Sequence, residues 1–191
     1  VVDNLSTGRR ENLRHIRGSV EVLEGDLLNP DLRRQALSDV DTVFHFAAIP
    51  SIPRSMLDPL ATHLNGSHLT LLMLAAAVQS GVRRFIYSTS SSACGDSPEL
   101  PKREDQRPDP LSPYAATKLA GEYYLMTFAR CYPIDTCSLR FFNVFGPRQN
   151  PASPYSGEVG PIDKVEAVDR HTVRFILRAP FADFPATMSI P

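Results

Sequence analysis

Tyr114 and Lys118 stand four residues apart in Ser112-Pro-Tyr-Ala-Ala-Thr-Lys118, and on a helix that spacing puts both side chains on one face. An ammonium beside a phenol favours the phenolate. Free tyrosine titrates near ~10, and bringing it to about 7 takes roughly 4 kcal/mol of preferential phenolate stabilisation. Ser88-Thr-Ser-Ser-Ser92 closes an apolar stretch upstream, and a serine from it can hold a substrate hydroxyl against the phenol oxygen. Serine, tyrosine and lysine together make a general acid/base site suited to hydride transfer. The spacing by itself also fits a solvated helix face, so the elements that carry these residues must decide.

Phe85-Ile-Tyr-Ser88 reads as a buried strand with the hydroxyl run at its carboxyl end, and Ser112-Pro113 opens a helix carrying Tyr114, Lys118 and Glu122 as far as Arg130. Upstream, Val20 to Asp26 alternates like a strand, and Asn29-Pro30-Asp31 starts a helix through Leu37. Asp41 to Ala48 is a largely apolar strand ending in small residues. A long helix follows from Asp58-Pro59 to Ser80, stopped by Gly81, with Leu64, Leu71, Leu72, Ala75 and Val78 expected on its sheet side. Val82 to Ser88 and Ile134 to Arg140 supply further strands, and a proline-rich loop spans Asp96 to Pro113. This alternation predicts an α/β fold with a parallel sheet wound on both faces and a ligand site at the carboxyl ends of its strands.

The chain has 191 residues, a net charge of −1 and scattered basic residues, so one main domain is expected, with neither a nucleic-acid nor a membrane-surface partner. Cys94, Cys131 and Cys137 form no C-x-x-C pair, and an odd count does not suggest a disulfide framework; a reducing, cytoplasmic setting fits better. No apolar run reaches the ~20 residues of a membrane-spanning helix. No metal site is expected.

Several motifs in order resemble the NAD-dependent epimerase/dehydratase family, the extended short-chain dehydrogenase/reductases, and within it the UDP-glucose and UDP-N-acetylglucosamine 4-epimerases. They are Asp3-Asn-Leu-Ser-Thr-Gly8, Gly25-Asp26-Leu27, His45-Phe-Ala-Ala48, Asn65, Tyr87 to Asp96, Ser112 to Lys118, and Arg140-Phe-Phe-Asn-Val-Phe-Gly-Pro-Arg-Gln149. The resemblance covers residues 1–157 and implies a Rossmann-like, NAD-binding domain acting on a UDP-sugar. It implies that Asp3, with Asn4, Leu5, Ser6, Thr7 and Gly8, meets the adenosine ribose, and that Asp26 and Leu27 flank the adenine. Phe46, Ala47 and Ala48 would pass under the cofactor, Asn65 would tie the long helix to that strand, and Phe142 would lie near the nicotinamide. Asn143 would touch the substrate. Ser90, Tyr114 and Lys118 are the implied catalytic set, with Ser90 and Tyr114 on the substrate and Tyr114 and Lys118 also on the cofactor. Ser91 or Ser92 could take the place of Ser90.

The implied reaction removes hydride from C4 of the sugar while Tyr114 takes the hydroxyl proton, and then returns hydride to the other face of the rotated 4-keto sugar. A 4,6-dehydratase or reductase is the alternative within the family; its dehydratases and decarboxylases usually carry an acidic residue immediately after the active hydroxyl residue, where Ser91, Ser92 and Ala93 follow here. A homodimer through the helices of the Tyr114 and Asn65 regions is also implied.

Three departures from the family pattern qualify these expectations. The family's first strand and glycine-rich turn do not precede Val1, so the chain as given is expected to leave two strand edges unpaired, to bind NAD poorly and to be inactive. Cys94 stands where tyrosine is common in the family, and reads as a small buried or half-buried residue rather than a reactive one. Residues 158–191 read as a β-hairpin turning at Asp169-Arg-His171, followed by Ala179-Pro-Phe-Ala-Asp-Phe-Pro185. They resemble a segment of the periplasmic peptide-binding proteins of ABC transporters. A junction of unrelated coding sequences near 155–160 is the expected explanation, and a peptide-binding fragment is the reading from a different functional class.

Overall fold

A computed structural model of the chain describes residues 1–16, 18–96, 102–142, 144, 162–167 and 173–177. It divides into two compact units, Val1–Phe141 and Phe142–Pro191.

In the first unit, the five strands among the described residues form two parallel sheets. β1 (Val2–Asp3) pairs with β2 (Leu23–Glu24), while β3 (Thr42–His45), β4 (Arg84–Ser90) and β5 (Asp135–Phe141) pair in that order. Between the strands run α1 (Pro30–Ala36), α2 (Ile52–Leu57), α3 (Pro59–His63), α4 (Leu69–Gln79) and α5 (Pro113–Cys131). Strand-to-helix alternation with parallel pairing is the expected Rossmann-like arrangement. β1 and β3 are not paired with each other, and a cleft of about 790 Å³ separates them.

Helix starts follow local chemistry. Asn29 Oδ1 accepts from Asp31 N at 2.8 Å, Asp58 Oδ1 from Ala61 N at 2.9 Å, and Ser112 Oγ from Ala115 N at 3.1 Å. Each cap is followed at once by proline, whose missing N–H costs nothing in the first turn. Leu37, Leu74, Val82, Phe85, Tyr87 and Leu125 are fully buried and form the centre of the core.

The long helix departs from the expected register. Leu64–His68 winds as a π-helical segment between α3 and α4, and the side chains buried beyond it are Leu69, Thr70, Met73, Leu74 and Ala77. Leu64 is exposed, and Leu71, Leu72, Ala75 and Val78 are only half-buried. Two causes act together: the π segment rotates the helix relative to an ideal 3.6-residue period, and α4 is apolar almost all round, so no stripe marked its inner face. A short 3₁₀ segment, Arg10–Ile16, and helix α2 had no strong signal in the sequence.

In the second unit, β6 (Ile162–Ala167) and β7 (Val173–Leu177) pair antiparallel, with Ala167 opposite Val173 and Ile162 opposite Leu177. This is the expected hairpin; its turn residues and Ala179 to Pro185 lie outside the described residues.

Candidate functional site

The cleft at the carboxyl ends of β1, β2 and β3 gathers most of the residues singled out for a cofactor. Asp3, Asn4, Ser6, Thr7, Gly8, Asp26, Leu27, Phe46, Ala47, Ala48 and Asn65 all line it. Its rim is polar and locally wound: Asp3 Oδ1 accepts from Leu5 N at 2.6 Å, Asn4 Oδ1 from Ser6 N at 3.1 Å, and Asp26 Oδ1 from Leu28 N at 2.8 Å. Asn4 Nδ2 reaches Asp26 Oδ2 at 3.5 Å and bridges the ends of β1 and β2. Its floor is apolar, built from Val43, Leu69 and Met73.

These residues fit a dinucleotide. A Cβ added at Gly8 would lie 2.7 Å from Asp3 Oδ2, so the missing side chain there is what leaves room beside the carboxylate. Asp3 Oδ2 carries no hydrogen bond among the described residues and is available to a ribose hydroxyl. Volume and lining match those of a small-molecule cleft, mostly apolar with a few placed polar groups. Asn65 makes a different bond from the one expected: its Nδ2 donates to Ala61 O at 2.9 Å within its own helix, at the start of the π segment, rather than to β3. Leu5 is on the loop but not among the lining residues, and takes a positive φ of 55° after the Asp3 turn. Phe142 opens the second unit and is exposed, and Asn143 lies outside the described residues.

A second cluster sits where α5 crosses the end of β4. Lys118 is 3 % exposed, an unusual position for an ammonium. Its Nζ donates to Ser88 O at 2.7 Å and lies 4.9 Å from the centre of the Tyr87 ring and 5.9 Å from that of Tyr114. Burial lowers its pKa to about 8. Tyr114 and Lys118 therefore do share a face, as their spacing required. Ser90 caps the 3₁₀ turn Ser91–Cys94: its Oγ accepts from Ser92 N at 3.2 Å and lies 2.9 Å from Ser92 Oγ. With its oxygen engaged in this way, the hydroxyl's remaining capacity is as a donor.

Four residues outside the expected set complete the cluster: His45, Glu122, Arg140 and Cys94. His45 is buried, stacks on Tyr87 at 5.8 Å between ring centres, and also lines the cleft, so it forms the wall common to both groups. Glu122, one turn beyond Lys118, accepts from Thr89 Oγ1 at 2.7 Å, from Arg140 Nε at 2.9 Å and from Arg140 Nη2 at 2.7 Å. That bond raises the Arg140 pKa further above its ordinary range. Cys94 is buried, with Arg140 Nη1 at 3.8 Å from its sulfur. The helical spacing of Tyr114, Lys118 and Glu122 was the signal for Glu122; its partner on another strand had none.

Glu122 and Arg140 have side chains only 11 % and 18 % exposed, so removing one leaves a largely desolvated charge. Glu122→Gln is expected to cost about 3 kcal/mol, read as a lower urea midpoint. Arg140→Met introduced together with Glu122→Gln should cost less than Arg140→Met introduced alone.

The family model described as the NAD dependent epimerase/dehydratase family matches residues 1–161. The chain belongs to this family. It is 36 % identical over 165 residues to a UDP-glucose 4-epimerase of Mycolicibacterium smegmatis, covering 84 % of this chain and 51 % of the relative. A solved UDP-N-acetylglucosamine 4-epimerase from Methanobrevibacter ruminantium superposes with a TM-score of 0.76 at 39 % identity, covering 81 % of this chain and 50 % of that one. A dTDP-glucose 4,6-dehydratase from Streptomyces venezuelae, DesIV, solved as a double mutant with NAD, gives 0.78 at 28 % identity over 83 % of this chain and 50 % of that one. The chain thus spans about half the length of the relatives it matches. Family members are NAD-dependent, in keeping with the fit of the cleft. Among the described residues, no helix is long and apolar enough to cross a membrane, and no group of His, Cys, Asp or Glu is placed to hold a metal ion.

Proposed function

We propose that this chain carries the cofactor half of a nucleotide-sugar 4-epimerase acting on a UDP-hexose or UDP-N-acetylhexosamine. The observation that carries the reading is the buried Lys118 ammonium, held by Ser88 O and set against the Tyr114 ring at the carboxyl end of β4. Asp3 would hold the adenosine ribose and Asp26 and Leu27 the adenine, with Phe46, Ala47 and Ala48 along the bound dinucleotide and Asn65 on the facing helix. NAD, when bound, supplies the acceptor and donor of hydride. Tyr114 takes the proton of the sugar C4 hydroxyl and returns it, Ser90 donates to the same oxygen, and Lys118 holds a cofactor ribose and stabilises the phenolate. An ammonium buried in low-dielectric surroundings acts more strongly on the neighbouring Tyr114 oxygen than one in water would.

Elimination at C4 and C6 is the competing chemistry, supported by the likeness to DesIV. Ser91 and Ser92, following Ser90, supply no carboxyl group to assist it. The decisive experiment measures NAD binding calorimetrically on the chain and on a version extended ahead of Val1 by the strand and glycine-rich turn of a relative. Incubation with UDP-glucose and UDP-N-acetylglucosamine follows, with products separated by chromatography. NAD binding with a C4 epimer as product is the expected result. A 4-keto-6-deoxy sugar points to the dehydratase, and no NAD binding by either folded version overturns the reading.

A further inference from the structure

Tyr87 lies beneath the proposed site and takes no part in the proposed chemistry. Its ring is 1 % exposed, and its hydroxyl has no hydrogen-bond partner among the described residues. The nearby Thr70 hydroxyl is already committed, donating to Gly66 O at 2.9 Å and meeting His45 Nε2 at 3.2 Å. Leaving a buried phenol unpaired is costly, so the ring rather than the hydroxyl must account for the residue.

The ring occupies a place made for it. A Cβ at Gly121 would come within 2.6–2.7 Å of Tyr87 Cε1, Cζ and Oη, so α5 can approach β4 only because position 121 has no side chain. Gly121 is three residues beyond Lys118 on the same helix. The depth at which the ring seats in that gap therefore sets the distance between the lysine and the strand. The His45 imidazole stacks on the ring at 5.8 Å between centres, and the Lys118 ammonium lies over it at 4.9 Å from its centre. Among the described residues Lys118 has one hydrogen-bond acceptor, Ser88 O, which leaves the ring faces of Tyr87 and, farther off, Tyr114 as its other source of stabilisation at a position only 3 % exposed.

We propose that Tyr87 is a positioning residue for Lys118: its ring, seated in the gap left by Gly121, holds the ammonium beside Tyr114 and keeps it charged. The titratable groups around this pair are His45 from β3, Tyr114 and Glu122 from α5, and Arg140 from β5, which is already paired with Glu122. The Glu122 oxygens are taken by Thr89 and Arg140. Of the two rings beside the ammonium, Tyr87 at 4.9 Å is nearer than Tyr114 at 5.9 Å, and its quadrupole is the closer negative surface facing it. The proposal rests on Lys118 as the lysine of the site, but its test needs neither NAD nor sugar.

The chain has three lysines, Lys102, Lys118 and Lys164, so replacing Lys102 and Lys164 by arginine leaves one ¹³Cε signal whose titration is followed by NMR. With phenylalanine at position 87 the Lys118 midpoint should stay within about 0.3 pH units, since the ring is kept. Pentafluorophenylalanine, close in shape but with the ring's charge distribution reversed, should lower it by about one unit or more relative to Phe. Tyr87→Leu should lower it in the same direction. Coincident midpoints for the phenylalanine and fluorinated proteins, or a fall in the phenylalanine protein as large as that in the fluorinated one, would overturn the proposal. Because the two aromatic variants preserve volume, the comparison survives even where the leucine variant fails to fold. Loss of NAD binding would count against the epimerase reading and leave this titration unaffected.

Discussion

Tyr114→Phe is expected to slow C4 epimerisation by about 10²–10⁴-fold, the usual worth of a positioned general acid/base, while NAD affinity stays within about twofold. Phenylalanine keeps the ring against Lys118 and the half-buried packing at the start of α5, and removes only the oxygen proposed to accept the sugar proton. The protein measured is whichever version binds NAD, assayed for interconversion of UDP-glucose and UDP-galactose. The loss should fall on kcat with little change in KM, because the missing contact matters most as the proton moves. Lys118→Met makes a useful contrast. It removes both the proposed ribose contact and the charge proposed to favour phenolate, so it should weaken NAD binding and lower kcat together. A Tyr114→Phe protein retaining more than about a tenth of the parent rate would show that some other group, Ser90 or water, carries the proton.

The contrast between these two residues also shows what the sequence could reveal. Tyr114 and Lys118 were legible because one helix supplies both and a fixed period relates them. Their shared face follows from backbone geometry alone. Asp3, Asp26 and the Phe46 to Ala48 run were legible through family motifs at the ends of strands, and the cleft assembles them because parallel strands end on one side. Cys94 was legible as a buried or half-buried residue because a free cysteine behaves as a small hydrophobe. What stayed hidden is mostly what depends on pairing between distant elements. Nothing local says that Arg140 reaches Glu122, that Tyr87 fills the space above Gly121, or that His45 stacks against Tyr87. The inward face of α4 stayed hidden for the opposite reason. Its apolar residues surround the helix, and the π segment at Leu64–His68 rotates the face that packing then selects. Asn65 sits within that segment, and its bond to Ala61 O is a consequence of the local winding.

His45 carries the largest expected effect on stability, and the effect depends on pH. The ring is 2 % exposed, lies between Phe85 at 5.6 Å and Tyr87 at 5.8 Å, and shares a hydrogen bond of 3.2 Å with Thr70 Oγ1. Since that hydroxyl gives its proton to Gly66 O, the imidazole is the donor at Nε2 and is neutral. Burial first, and the Lys118 charge second, hold its pKa down to about 3, against 6.5 for an ordinary histidine. Between those two values the unfolded chain binds a proton that the folded protein refuses. Stability therefore rises with pH across the window from about 3 to 6.5 and is lost on acidification through it. At about 1.36 kcal/mol per pH unit, the width of the window caps the loss at roughly 4–5 kcal/mol, a large part of the ~5–15 kcal/mol that holds a domain folded. His45→Gln keeps a side-chain N–H for Thr70 and cannot titrate. Urea unfolding at pH 7.5, 6, 5 and 4 should show the parent protein losing stability faster than the glutamine variant below about pH 6.5. The difference between the two curves cancels the carboxylates that titrate in the same range. Parallel curves would mean that the folded protein accommodates a charged imidazole beside Lys118, which would require water or an anion to enter the wall between the cleft and the lysine.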